Sequence, residues 1–159
     1  MVTRPAMRTD VKPAECRLAL NAVDLAAHFT IRHAVFVAEQ GLFERTDRDN
    51  RDHDQRTRHV LAWLDGAAAG TVRLYPLEER GLWKGDRLAV PPAYRRQGVG
   101  APLVRYAVAT AASLGGRRMV AHIQPQNVAF FRHLGWYEVG GLVSYAGRPH
   151  QLMAIGLWP

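Results

Sequence analysis

LAVPPAYRRQGVGAPLVR, residues 88–105, decides how the rest of the chain is read. A short apolar strand pattern, Leu88 and Val90, stops at Pro91 and Pro92. A basic, glycine-containing turn follows, Arg95-Arg96-Gln97-Gly98-Val99-Gly100. Leu103, Val104, Ala107 and Val108 then recur with helical spacing, and Pro102 sits in the first turn, where its missing N–H costs little. Strand, turn and helix start together predict an anion site. The first N–H groups of a helix have no internal partner, and the helix dipole favours negative charge there. Gly98 and Gly100 let a phosphate approach the backbone, and Arg95 and Arg96 add charge.

Two other glycine turns are excluded. A kinase-type P-loop needs a Gly-Lys-Ser/Thr ending, which the chain lacks. The dinucleotide fingerprint needs a third glycine and an acid about 20 residues on. Leu103 stands in that glycine's place, and no acid lies between Asp86 and Glu138.

At 159 residues the chain suits one domain with a real core, and residues 15–159 are assigned to it, after a flexible tail over 1–14. The N-terminal residues are basic but lack the apolar run of a secretory signal, and no stretch approaches the roughly 20 apolar residues that span a bilayer. A single cysteine, Cys16, rules out an internal disulfide and fits a reducing cytoplasm. The net charge of +7 suits a polyanionic partner. The basic residues are dispersed, which favours a phosphorylated cosubstrate over nucleic acid.

Outside the turn, residues 16–20 predict a first strand. A helix capped by Asn21 or Asp24 runs from there through Val37, and Gly41 follows as a stop. Residues 44–58, ERTDRDNRDHDQRTR, fail the calcium-loop pattern at the sixth and twelfth positions. The expectation is a solvated loop of paired charges, and the functional alternative is a substrate loop whose carboxylates hold a cationic amine. Residues 59–64 and 70–75 predict a hairpin around Asp65-Gly66 with a loop longer than two residues. Residues 82–90, the helix to about Ser113 and residues 118–124 form a β–α–β unit, which predicts that its two strands are parallel neighbours. Final strands are expected around residues 137–139, 142–145 and 151–157.

Three segments in order resemble one family. The turn 95–100 resembles the pyrophosphate-binding motif of the GCN5-related N-acetyltransferases (GNAT). Residues 31–40, IRHAVFVAEQ, are similar to a first-helix signature Arg-x-x-Val-Phe-x-x-Glu-Gln of one GNAT branch, which acyl-homoserine-lactone synthases carry in looser form. Residues 126–136, QNVAFFRHLGW, resemble the segment Asn-x-x-Ala-x-x-(Phe/Tyr)-x-x-x-Gly-Phe, with Trp136 in the last aromatic place. Within the family the chain looks like the group found in nitrilase-associated bacterial gene clusters.

The resemblance implies an α/β GNAT fold: a mixed, mostly antiparallel sheet of six to seven strands, helices on both faces, and parallel strands splayed at the acyl-CoA site. It implies acetyl-CoA as cosubstrate without a metal, a small-molecule amine as acceptor, and direct attack of that amine on the thioester. Pantetheine would pair with Leu88, Ala89 and Val90, and the pyrophosphate would sit on Arg95, Arg96, Gln97, Gly98, Val99 and Gly100. The Val90 N–H would polarise the thioester carbonyl, Asn127 would bond the pantetheine arm, and Phe131 would pack beside it. Glu39 is the first candidate base and His122 the second. Many relatives carry a Tyr where this chain has Phe131, so the usual phenol that protonates the leaving thiolate is missing. That departure motivates a second reading, a catalytically degenerate acyl-CoA sensor or assembly module. Nucleic acid is an unexpected partner, a membrane is not expected, and a homodimer is the candidate assembly.

Overall fold

A computed structural model describes residues 12–158. Most of the expected flexible tail, residues 1–11, lies outside the described residues; residues 12–14 lead irregularly into the first strand. Seven strands form one sheet: β1 (Glu15–Leu18), β2 (Arg58–Leu64), β3 (Ala67–Pro76), β4 (Leu82–Ala89), β5 (Arg118–Ile123), β6 (Tyr137–Tyr145) and β7 (Arg148–Gly156). Their order across the sheet is β1-β2-β3-β4-β5-β7-β6. All pairs are antiparallel except β4 with β5. The helices are α1 (Ala22–Arg32), α2 (Gly100–Ser113) and the short α3 (Val128–His133).

Alternation along the strands sorts the side chains onto two faces. Val60, Ala62, Val72, Leu74, Trp83, Met119 and Met153 pack with Leu103, Val104 and Ala107 of α2 and Phe131 of α3 in the larger core. Leu61 and Ala89 face the other way and pack with Ile31, Val35 and Phe36. Helix α2 lies close on β3, and Gly70 makes room for it: a Cβ there would stand 2.8 Å from Leu103 Cδ1 and 3.1 Å from Val99 Cγ1.

Several local departures from expectation have physical causes. The β2–β3 hairpin turn is two residues long, not longer. Asp65 and Gly66 take φ of 48° and 79°, both left-handed as a type I′ turn requires, and pairing resumes at Leu64 with Ala67. A bulge between Ala62 and Trp63 absorbs the residues that suggested a longer loop. The first helix is α-helical only to Arg32 and continues as a π-helix over His33–Glu39, with Gln40 N–H donating to Val35 O at 2.9 Å, five residues back. Residues 137–145 form one strand rather than two, with a register shift between Glu138 and Leu142 at the Gly140-Gly141 pair. Asn21, not Asp24, caps α1: its side chain accepts from Asp24 N–H at 2.8 Å.

Candidate active site

The parallel pair is short. Leu82, Trp83 and Lys84 match Arg118, Met119 and Val120, and the ladder stops there. A second irregularity lies just beyond. Thr71 pairs with Ala89 while Arg73 pairs with Asp86, so β4 carries an extra residue, and Arg87 sits at φ 53°. An extra residue bends the strand that carries it, and beyond Lys84 β4 no longer pairs with β5. The gap opens a cleft through the sheet, walled by Phe36 and Phe43 from one face and by Val104, Ala107 and Phe131 from the other. Leu88, His122 and Asn127 also line it.

The glycine turn stands at the start of α2. Pro92–Gln97 make a 3-10 turn, Gly98 follows at φ 70°, and α2 begins at Gly100 without any side-chain cap. A Cβ on Gly98 would meet nothing within 4 Å, so the space over this turn is open. Val99 is buried beneath it, whereas Arg95, Arg96 and Gln97 are exposed. Gln97 Nε2 donates to Ala93 O at 3.1 Å. Arg95 is engaged by the protein itself: Nε donates to Val90 O at 2.8 Å, and the two terminal nitrogens grip both Glu39 carboxylate oxygens, Nη1 to Oε2 at 2.6 Å. This bidentate pair holds the Glu39 carboxyl below its usual range. Glu39 therefore stands at the rim, tied to the turn, and is not among the residues that line the cleft.

His122 does line it. The ring stacks on Tyr145, centroids 4.4 Å apart and planes 4° apart, and Nδ1 is buried with no hydrogen-bond partner among the described residues. Burial lowers its pKa first, and the nearby Lys84 charge lowers it further. Tyr145 arrives from the tip of the β6–β7 hairpin and also meets His150 edge-on at 5.2 Å. Asn127 is exposed at the cleft and its side chain makes no hydrogen bond among the described residues. Phe131 is buried, edge-on to Trp136 at 5.3 Å and to Phe130 at 5.4 Å.

The polar loop is exposed along most of its length and its charges are paired, as expected, but two of its carboxylates are not solvated. The Asp47 and Asp52 side chains are buried under α1 and β3, where Arg32, Arg73 and Arg87 neutralise them. Arg32 Nε donates to Asp47 at 2.6 Å and Nη1 to Asp52 at 2.7 Å. Arg73 binds Asp49 and Asp86, and Arg87 binds the Asp47 carboxylate and carbonyl. Asp49 and Asp52 also form a reciprocal cap on the 3-10 turn Asn50–His53. None of residues 44–58 is among the residues that line the cleft, so the substrate-loop alternative gains no support from the structure. The three arginines do not stand out in the sequence because each lies far along the chain from its partner.

Residues 24–136 match the family model for the acetyltransferase (GNAT) family. The chain belongs to the GNAT family. It is 30% identical over 132 residues to "Putative acetyltransferase BSU40680" of Bacillus subtilis, covering 82% of this chain and 88% of that protein. Among solved structures, an acyl-CoA N-acyltransferase from Pseudomonas aeruginosa superposes with a TM-score of 0.76 at 27% identity, over 89% of this chain and 97% of that one. A "putative N-acetyltransferase" from Lactobacillus plantarum superposes at 0.81 with 23% identity over 92% and 99% of the two chains.

This GNAT chain is an acyl-CoA-dependent N-acetyltransferase. The binding-only alternative finds no support in these likenesses. The GNAT fold class is as expected, with seven strands, one parallel pair and helices on both faces. In the sequence Tyr145 and His150 have no identifiable partner, and Lys84 escapes notice. A usable signal existed: β4 and β5 are in parallel register at Lys84 and Val120, so alternation puts Lys84, Asp86 and His122 on one face.

Proposed function

We propose that the chain transfers an acetyl group from acetyl-CoA to the amine of a small-molecule acceptor by direct attack, in the cytoplasm. The observation that carries this reading is the splayed β4–β5 gap, ending at the open, uncapped start of α2. The residues suit the cosubstrate: the turn at Gly98 leaves room over backbone N–H groups, and the cleft beyond it is apolar. Under this reading the pyrophosphate rests on Gly98, Val99 and Gly100, with Arg96 and Gln97 beside it. Pantetheine runs along Leu88, Ala89 and Val90, against Asn127 and Phe131. The Val90 N–H polarises the thioester oxygen as charge develops on it.

His122 becomes the first candidate base and Glu39 the second, reversing the order that sequence suggested. His122 faces the cleft and is kept neutral by its surroundings, so it can take the ammonium proton. Glu39 serves Arg95, and we assign that pair to bracing the turn against the first helix. With Phe131 in place of a phenol, the thiolate leaves unassisted by that side chain; a thiol pKa near 8.5 makes this tolerable. Kinship with the nitrilase-associated group rests on residues 31–40, IRHAVFVAEQ, the strand residues 87–90, RLAV, and residues 124–127, QPQN.

Calorimetric titration with acetyl-CoA tests the binding half. Arg95→Ala combined with Gly98→Ala should weaken binding by about tenfold or more, because it removes the brace and strains a left-handed position. Wild-type affinity in that variant would overturn the placement.

A further inference from the structure

The acceptor side of the cleft is poor in available negative charge. Asp86 is the one carboxylate lining it among the described residues. Its oxygens are taken: Arg73 Nε and Nη2 each donate at 2.8 Å, and the Tyr75 hydroxyl donates at 3.2 Å. Asp47, Asp49 and Asp52 are committed to Arg32, Arg73 and Arg87. Glu39 is committed to Arg95.

Two cationic side chains on the same face, by contrast, keep donor capacity. Lys84 has no carboxylate within 4.0 Å among the described residues; it stands beside the cleft rather than among the residues that line it, with its Nζ 4.7 Å from the centre of the Tyr145 ring, which does line it. That ring is the one stacked on His122. Arg87 is ion-paired with Asp47, Asp49 and Asp86, but its Nη1, 3.6 Å from Asp86, is held there without a hydrogen bond. A lysine and one arginine nitrogen thus flank the aromatic wall beside the orphaned His122 nitrogen.

We propose that the acceptor is an amine that also carries a carboxylate, with the carboxylate held between Lys84 and Arg87 beside Tyr145 and the amine directed at His122. This rests on the cleft being the transferase site. A carboxylate gains charge-assisted hydrogen bonds from both cations, whereas a simple alkylammonium meets the same cations with no free acid to offset them. In the transfer, the ammonium gives its proton to His122. The freed amine nitrogen then bonds the thioester carbon, the C–S bond breaks, and the second proton shed by the acylated nitrogen passes to the departing thiolate, which becomes CoA thiol. The products are an N-acetylamino carboxylate and CoA.

The test is CoA thiol release from acetyl-CoA with matched acceptors: L-phenylalanine, L-phenylalaninamide and 2-phenylethylamine, then 4-aminobutyrate, 4-aminobutanamide and butylamine. The amides keep amine basicity from favouring the carboxylates. The carboxylates should exceed both partners about tenfold or more in kcat/KM. Lys84→Met should collapse that preference while leaving acetyl-CoA affinity unchanged, and Lys84→Arg should restore part of it. Equal or better rates with the amides or alkylamines, or a preference untouched in Lys84→Met, overturn the inference alone. No transfer to any amine despite acetyl-CoA binding overturns the transferase reading, and this inference with it.

Discussion

At the residue scale, His122 concentrates what the site needs. A strand histidine is ordinarily a packed and bonded one. Here the stacking ring of Tyr145 occupies its face, Nδ1 is buried with no partner among the described residues, and the ring lines the cleft. Its pKa is lowered, and the sign follows directly: the base is neutral above that pKa and is lost as pH falls through it. The acid limb of kcat/KM should therefore lie below the ordinary imidazole value of about 6.5. His122→Gln should lower kcat/KM by about 100-fold and abolish that limb, measured from about pH 5 to 9. A limb that persists in the variant would assign it to another group. Glu39 teaches the complementary lesson. Its place at a helix end was legible in the sequence, but the Arg95 opposite it, 56 residues away, was not.

At the element scale, the sequence was most informative where local rules act alone. Helix α2, its glycine turn and the parallel strands beside it follow from periodicity, capping and β–α–β connection, and all lie where those rules put them. The bulges at Ala62 and Arg87 did not show, because an extra strand residue leaves the apolar pattern almost intact and changes only the pairing. The π turn at His33–Glu39 escaped for a similar reason, since Val35 and Phe36 suit a buried face under either winding. The seat of α2 on β3 gives a sharp prediction. Gly70→Ala pushes a methyl against Leu103 and Val99 and should cost about 1–3 kcal/mol by urea unfolding. Trimming the opposing side chain, Leu103→Ala in the same protein, should cost less than the two single changes added together.

For the whole molecule, the buried charges make stability depend on pH. His28 is fully buried; its Nδ1–H donates to Val60 O at 3.0 Å, and burial with the adjacent Arg32 charge pushes its pKa down to about 3. The unfolded chain accepts a proton near pH 6.5 that the folded chain refuses. Stability is thus complete above about 6.5 and declines as pH falls from there toward about 3, by up to about 1.4 kcal/mol per unit. Asp52 acts in the same sense at lower pH: its carboxyl is held well below the usual range by His59 and Arg32, and that contribution is lost under more acid conditions. Unfolding in urea should show about 2 kcal/mol less stability at about pH 5 than at about pH 7, and His28→Gln should flatten the slope between them. An equal midpoint at both pH values in the parent protein would remove His28 from this role.

The ion network that binds residues 47–52 to α1, β3 and β4 also has a consequence for ancestry. Removing one member strands a buried charge, which typically costs about 3–5 kcal/mol, while replacing a matched set by apolar groups can be neutral. A lineage can therefore lose Arg32, Asp47, Asp49, Asp52, Arg73, Asp86 and Arg87 together but rarely one at a time. Across an alignment of relatives these positions should be inherited as a block, charged in some branches and apolar in others. Independent variation of Arg73 and Asp86 among relatives would show that evolution found a way around the penalty.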